Sequence, residues 1–187
     1  MEPMAVDASD EELMRRVQRE DRQAFTELVR RHRERVMRVG YGILRNAGGA
    51  EDVVQEAFLR VWTRAPDWDA ERGRFVAWLV TIATRLAIDQ RRGPACDPID
   101  NADELPSADP DAEALASGGE IGRRIDLALG RLPLRQRTAL VLCQIDGLSN
   151  AEAAASMGIG LGALEQLLVR ARRAIREQLA DLMEAQA

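Results

Sequence analysis

Apolar residues along this chain recur at three- and four-residue steps and nowhere settle into the two-residue alternation of a half-buried strand. Phe25, Leu28, Val29, His32, Val36, Val39 and Ile43 make one continuous stripe, which predicts a long helix beginning near Arg22. Ahead of it, Ser9 followed by Glu12 has the spacing of a capping box and opens a helix to about Arg19. The glycines of 46–49 break the pattern. Val54, Ala57, Phe58 and Val61 then face inward on a helix from about Ala50 to Arg64, turning Asp52, Gln55, Glu56 and Arg60 outward. After Pro66, residues 68–74 read as a polar loop, and Phe75 to Arg92 forms a fourth helix with Leu79, Ile82, Ala83 and Leu86 on its core face.

The same rhythm returns in the last third. Ile121, Ile125, Ala128, Leu129 and Leu132 mark a helix interrupted by Pro133, and Leu134 to Ile145 marks another, ended by Asp146-Gly147. Ser149 with Glu152 is a second capping box, Gly158 suits a left-handed helix end, and a further helix runs from Leu161 through Ile175. Two short helices joined by such a turn outline a helix-turn-helix, which lays its second helix in a DNA major groove. A buried helical hairpin has the same outline. Leu164, Leu168, Ala171 and Ile175 step along the packed face of the last helix, leaving Glu165, Gln166, Val169, Arg170, Arg172 and Arg173 on the other. Gln suits an adenine edge, and Arg suits guanine or phosphate.

These elements make the chain all-α, with two small helical domains, 1–92 and 120–187, joined by a flexible acidic linker, 93–119. Net charge sharpens the division. The chain carries −5 overall, which argues against nucleic-acid binding until the charge is located. Residues 1–92 and 120–187 each hold one more Arg than Asp plus Glu, whereas 93–119 hold seven acidic residues and no basic one. The linker alone makes the protein acidic, so both flanking domains stay electrostatically compatible with DNA.

Candidate chemistry is confined to surfaces. Trp68, Arg72 and Arg74 in the loop, with Trp78, Thr81, Arg85, Arg91 and Arg92 on the fourth helix, interleave aromatic and basic groups. Such a mixture fits unstacked single-stranded bases threaded past cations. Trp78 flanks the apolar stripe and reads as core, which leaves Trp68 as the exposed ring. The acidic face of Asp52, Gln55 and Glu56 repels DNA and fits either a basic or mixed protein surface or plain solvent. Cys96, Cys143 and His32 are too scattered for a metal site, and no nucleophile, base or phosphate loop clusters. The chain therefore reads as a non-enzyme without cofactor or small-molecule substrate. The acidic start of the chain lacks secretory-signal character and no run approaches a membrane span, which predicts a cytoplasmic protein without membrane contact of its own.

Three segments of the first half, 24–32, 50–58 and 72–79, resemble region two of bacterial RNA polymerase sigma factors. In the second half, 132–137, 147–154 and 170–173 resemble region four. With only a linker between them, the chain is similar to the extracytoplasmic-function (ECF) group. The resemblance implies promoter-specific transcription initiation, with core RNA polymerase, promoter DNA and an anti-sigma factor as partners. Asp52, Gln55 and Glu56 match the helix that docks on the clamp coiled coil of β′, and region four is implied to meet the β flap. Trp68, Arg72, Arg74, Trp78, Thr81, Arg85, Arg91 and Arg92 match the segment that captures and melts the minus 10 element. Gln166, Val169, Arg170, Arg172 and Arg173 match the reader of the minus 35 element, while the acidic linker matches a segment that threads toward the RNA exit channel. Three departures stand out. Arg85 replaces a frequent Asn, Glu165 and Leu167 occupy positions that are often basic, and Gly160 replaces a capping Ser or Thr. A decoy that binds only an anti-sigma factor and a dimeric repressor are the two competing readings.

Overall fold

The computed structural model describes residues 8–92 and 120–184, and among them every regular element is helical. The first half consists of α1 (Asp10–Val17), α2 (Arg22–Leu44), α3 (Ala47–Thr63), two short 3-10 turns (Ala65–Asp67 and Ala70–Arg72) and α4 (Phe75–Arg92). The second half consists of α5 (Glu120–Gly130), α6 (Leu134–Leu140) with a π-helical turn at Val141–Ile145, α7 (Asn150–Met157) and α8 (Leu161–Glu184). The acidic linker expected over 93–119 lies outside the described residues.

Local chemistry explains most boundaries. Ser9 and Ser149 each accept a hydrogen bond from the amide three residues on, while Glu12 and Glu152 accept from the amides of Ser9 and Ser149, so both capping boxes form. Gly158 ends α7 in the left-handed conformation, at φ 66°. The expected break over 46–49 is corrected: Asn46 caps α3 by accepting from Gly49 N at 2.6 Å, and the helix starts at Ala47. A good cap contributes about 1 kcal/mol and offsets part of the glycine cost in the first turn. At Gly49, a Cβ would stand 3.0 Å from the Gln90 amide and 3.2 Å from both Asn46 and Leu44, which explains a small residue there. Two other ends differ from expectation: α1 stops at Val17, before Glu20 adopts φ 63°, and α8 continues beyond Ile175 to Glu184.

The two halves share one apolar interior. Leu13, Met14, Leu28, Ile43, Phe75 and Leu79 from the first half join Val141, Leu142, Leu148, Ala153 and Leu164 from the second in a single buried cluster. Each such large side chain contributes roughly 1.5–3 kcal/mol on leaving water. Helix α4 lies against α7, and α2 lies against α6 and its π turn, where Gly42 gives the backbone room to approach Val141.

Buried cations mark this junction. Arg45, in the left-handed conformation at the end of α2, is 2% exposed, stacks on the Tyr41 ring 4.7 Å away and pairs with Asp126 of α5 at 3.0 Å. Arg137 of α6 is also buried and donates to the Gly130 carbonyl. Desolvation, aided by the nearby charges of Arg91 and Arg45, pushes its guanidinium down to about 10, where it is still charged at neutral pH.

Candidate nucleic-acid interface

The loop and α4 form a cleft of about 420 Å³ lined by Trp68, Arg72, Arg74, Trp78 and Thr81. Its far wall comes from Glu152 and Ala155 of α7. Arg74 pairs with Glu152, and the Thr81 and Ser156 hydroxyls share a hydrogen bond at 2.8 Å. Arg74 and the Ser149 cap hold the Glu152 carboxyl down to about 2, far below the usual carboxylate range. A further link joins the halves where Arg35 of α2 donates to the Asp146 carboxylate at 2.7 Å and to its carbonyl at 3.0 Å.

Within this cleft the two tryptophans exchange their expected places. Trp68 is buried at 5% exposure, edge-on to Phe75, because Gln18, the residue that caps the end of α1, donates to the carbonyls of Ala65 and Trp68 and ties the loop onto the core. Trp78 is the half-exposed ring, tilted against Phe75 with its rim in the cleft. A helix-face pattern cannot report a fold-back of the following loop, and the Gln18 anchor joins residues 50 positions apart. Arg72, Arg74 and Arg85 are exposed and Arg91 is half-buried, while the Arg92 side chain lies outside the described residues.

On α8 the faces divide as the spacing requires. Leu164, Leu168 and Ala171 are buried, whereas Gln166, Val169, Arg170, Arg172 and Arg173 are exposed. Val169 is open at 65%, and Arg173 pairs with Glu177 at 2.7 Å. Leu167 does not stand on the outer face with Glu165: at 7% exposure it belongs to the core, so an apolar residue suits it for packing.

On α3, Asp52 and Gln55 are exposed, and the half-exposed Glu56 accepts from Arg60 at 2.8 Å. Beside them α2 and α3 leave an apolar groove of about 730 Å³, lined by Phe25, Val29, Phe58, Leu59 and Trp62 together with Gln55. Leu59 is 55% exposed at its rim. This groove was missed by sequence reasoning, although one signal was available: Leu59 sits off the inward stripe of Val54, Ala57, Phe58 and Val61.

Comparison with known proteins follows the same two halves. The model of Sigma-70 region 2 matches residues 28–94, and that of Sigma-70, region 4 matches residues 122–175. The chain is 36% identical over 161 residues to the ECF RNA polymerase sigma factor SigE of Mycolicibacterium smegmatis, covering 84% of this chain and 62% of that relative's length. It is 31% identical over 175 residues to the ECF RNA polymerase sigma factor SigK of Mycobacterium tuberculosis, covering 89% of this chain and 91% of the relative. Among solved structures, CnrH in complex with the cytosolic domain of CnrY superposes with a TM-score of 0.69 at 27% identity, over 95% of this chain and 99% of that one. The RpoE sigma factor of Bartonella quintana, crystallised with the anti-sigma factor NepR, has the same fold, with a TM-score of 0.65 at 21% identity over 83% of this chain and 96% of that one. Both halves in order, with SigK matched at 31% identity over 91% of its length, place this chain in the family of ECF RNA polymerase sigma factors, which are transcription regulators and not catalysts.

Proposed function

We infer that this protein binds core RNA polymerase and directs it to promoters by gripping two DNA elements, one with each half. Residues 1–92 serve core binding and the minus 10 element, 93–119 connect, and 120–187 read the minus 35 element. The observation that carries this reading is the pairing of an exposed Gln/Val/Arg face on α8 with an Arg- and Trp-lined cleft on α4 in one chain. Trp78 is the ring that accepts an unstacked base, Arg72, Arg74 and Arg85 track the backbone, and Trp68 supports the cleft from beneath. Asp52, Gln55 and Glu56 meet the β′ clamp coiled coil, with the neighbouring apolar groove taking side chains of the same partner. The second half meets the β flap, and an anti-sigma factor holds the protein inactive in the cytoplasm. No described helix is long and apolar enough to cross a membrane.

Because Glu152 and Ala155 wall the cleft that holds Arg74, Trp78 and Thr81, a DNA strand enters only after α7 leaves α4. The halves therefore separate on the promoter, and the polymerase keeps each near its own element, raising the effective concentration of both. Core binding is tested by Asp52→Arg with Glu56→Arg. The double variant keeps the wild-type melting temperature and loses holoenzyme formation in a pull-down; undiminished holoenzyme removes this face from the polymerase contact.

A further inference from the structure

Gly162, Glu165, Gln166, Val169 and Arg170 line one shallow hollow on the outer face of α8. Their spacing puts them on one stripe, so Glu165 stands inside the candidate reading face and not at its edge. Its side chain is exposed and makes no hydrogen bond or ion pair among the described residues. The positions one turn away on its own helix are Leu161, Gly162, Leu168 and Val169, none of them cationic. Gly162 offers no side chain to fill the space, and a Cβ built there meets nothing within 4 Å.

A carboxylate in this position is a liability on DNA unless the DNA itself supplies a proton donor. Phosphates repel it, and in the major groove guanine and thymine present only acceptors. The amino groups of cytosine and adenine are the two donors. Adenine sets its amino group beside the N7 acceptor, a pair that an amide such as Gln166 matches with one donor and one acceptor. Cytosine presents its amino group without a neighbouring acceptor, which suits a carboxylate that can only accept. We propose that Glu165 is a specificity-determining residue that selects a cytosine in the minus 35 element by accepting a hydrogen bond from its N4 amino group. It rejects guanine and thymine at that position by acceptor-acceptor repulsion. This rests on the reading of α8 as the minus 35 helix.

The test is selection of promoters from a library randomised across the minus 35 element, using full-length protein assembled with core polymerase. Wild type enriches cytosine at one position. Glu165→Ala lowers the preference there by about 5- to 150-fold, the discrimination expected of one good base contact. Glu165→Gln moves that position toward adenine, Glu165→Arg moves it toward guanine, and the other positions keep their bases. An element unchanged in all three variants overturns the proposal, as does a uniform gain in binding by Glu165→Ala on every sequence, the mark of simple phosphate repulsion. A wild-type holoenzyme that selects no recurring element overturns the minus 35 reading itself, and this proposal with it.

Discussion

Replacing Gly42 by Ala probes how the two halves are held together. A Cβ at this position would stand 2.9 Å from both γ-methyls of Val141 and 3.5 Å from its Cβ. Ordinary carbon contacts lie at about 3.5–4.0 Å, so α2 and the π turn after α6 must move apart by roughly 0.6 Å or more. Val141 is fully buried and β-branched, which denies it an easy rotation out of the way. Overpacking of this kind costs about 1–3 kcal/mol when the contact is kept. Within α2 itself the effect has the opposite sign, because Ala in a helix interior is favoured over Gly by about 0.5–1 kcal/mol. The substitution thus stabilises the helix that carries it while wedging the interface on which that helix packs. Calorimetry reads the result: the net cost, about 0–2.5 kcal/mol, lowers the melting temperature by up to about 10 °C. Gly42→Ala combined with Val141→Ala relieves the clash, so the two changes together cost less than the sum of each alone. A single variant that melts higher than wild type would refute the reasoning, since the clash would then be absorbed without cost.

Three further outcomes follow from the cleft and its wall. Trp68→Ala empties a buried site and costs about 3–5 kcal/mol, which lowers the melting temperature by more than about 10 °C in a calorimetric scan. Trp78→Ala leaves melting within a few degrees and instead reduces permanganate reactivity of promoter thymines in the opened region. The Glu152 carboxyl, held at about 2 in the folded chain against an ordinary 4.5, gives a pH signature with a defined sign. Its folded value is depressed, so its contribution is complete above about 4.5 and is lost as pH falls from there toward 2; Glu152→Gln flattens that part of the stability curve measured by urea titration.

Helix number and facing were legible because each helix is amphipathic at the 3.6-residue period, and the caps at Ser9, Ser149 and Gly158 are written in local spacing. The outer face of α8 was readable for the same reason. What escaped was set by distant partners. Trp68 is buried through Gln18, and Leu167 faces the core because α8 is enclosed on more than one side. The ion pairs between the halves join Arg35 to Asp146, Arg45 to Asp126 and Arg74 to Glu152, residues 78 to 111 positions apart. Such charges are ordinary surface residues to any local pattern. The glycines at 48 and 49 misled in a different way: they resemble a helix break, yet Asn46 caps them into the first turn of α3.

On the two-point reading proposed above, neither half grips DNA well alone, and the polymerase makes the grip by holding both on one promoter. Electrophoretic mobility shift of a promoter fragment carrying the selected minus 35 and minus 10 elements, with the free chain and with the chain assembled on core polymerase, tests it most directly. The expected result is a specific, salt-sensitive complex with the assembled enzyme, weakened by altering either element, and no specific complex with the free chain at the same concentration. A free chain that binds the fragment specifically, as a dimer on a two-fold site, would contradict it.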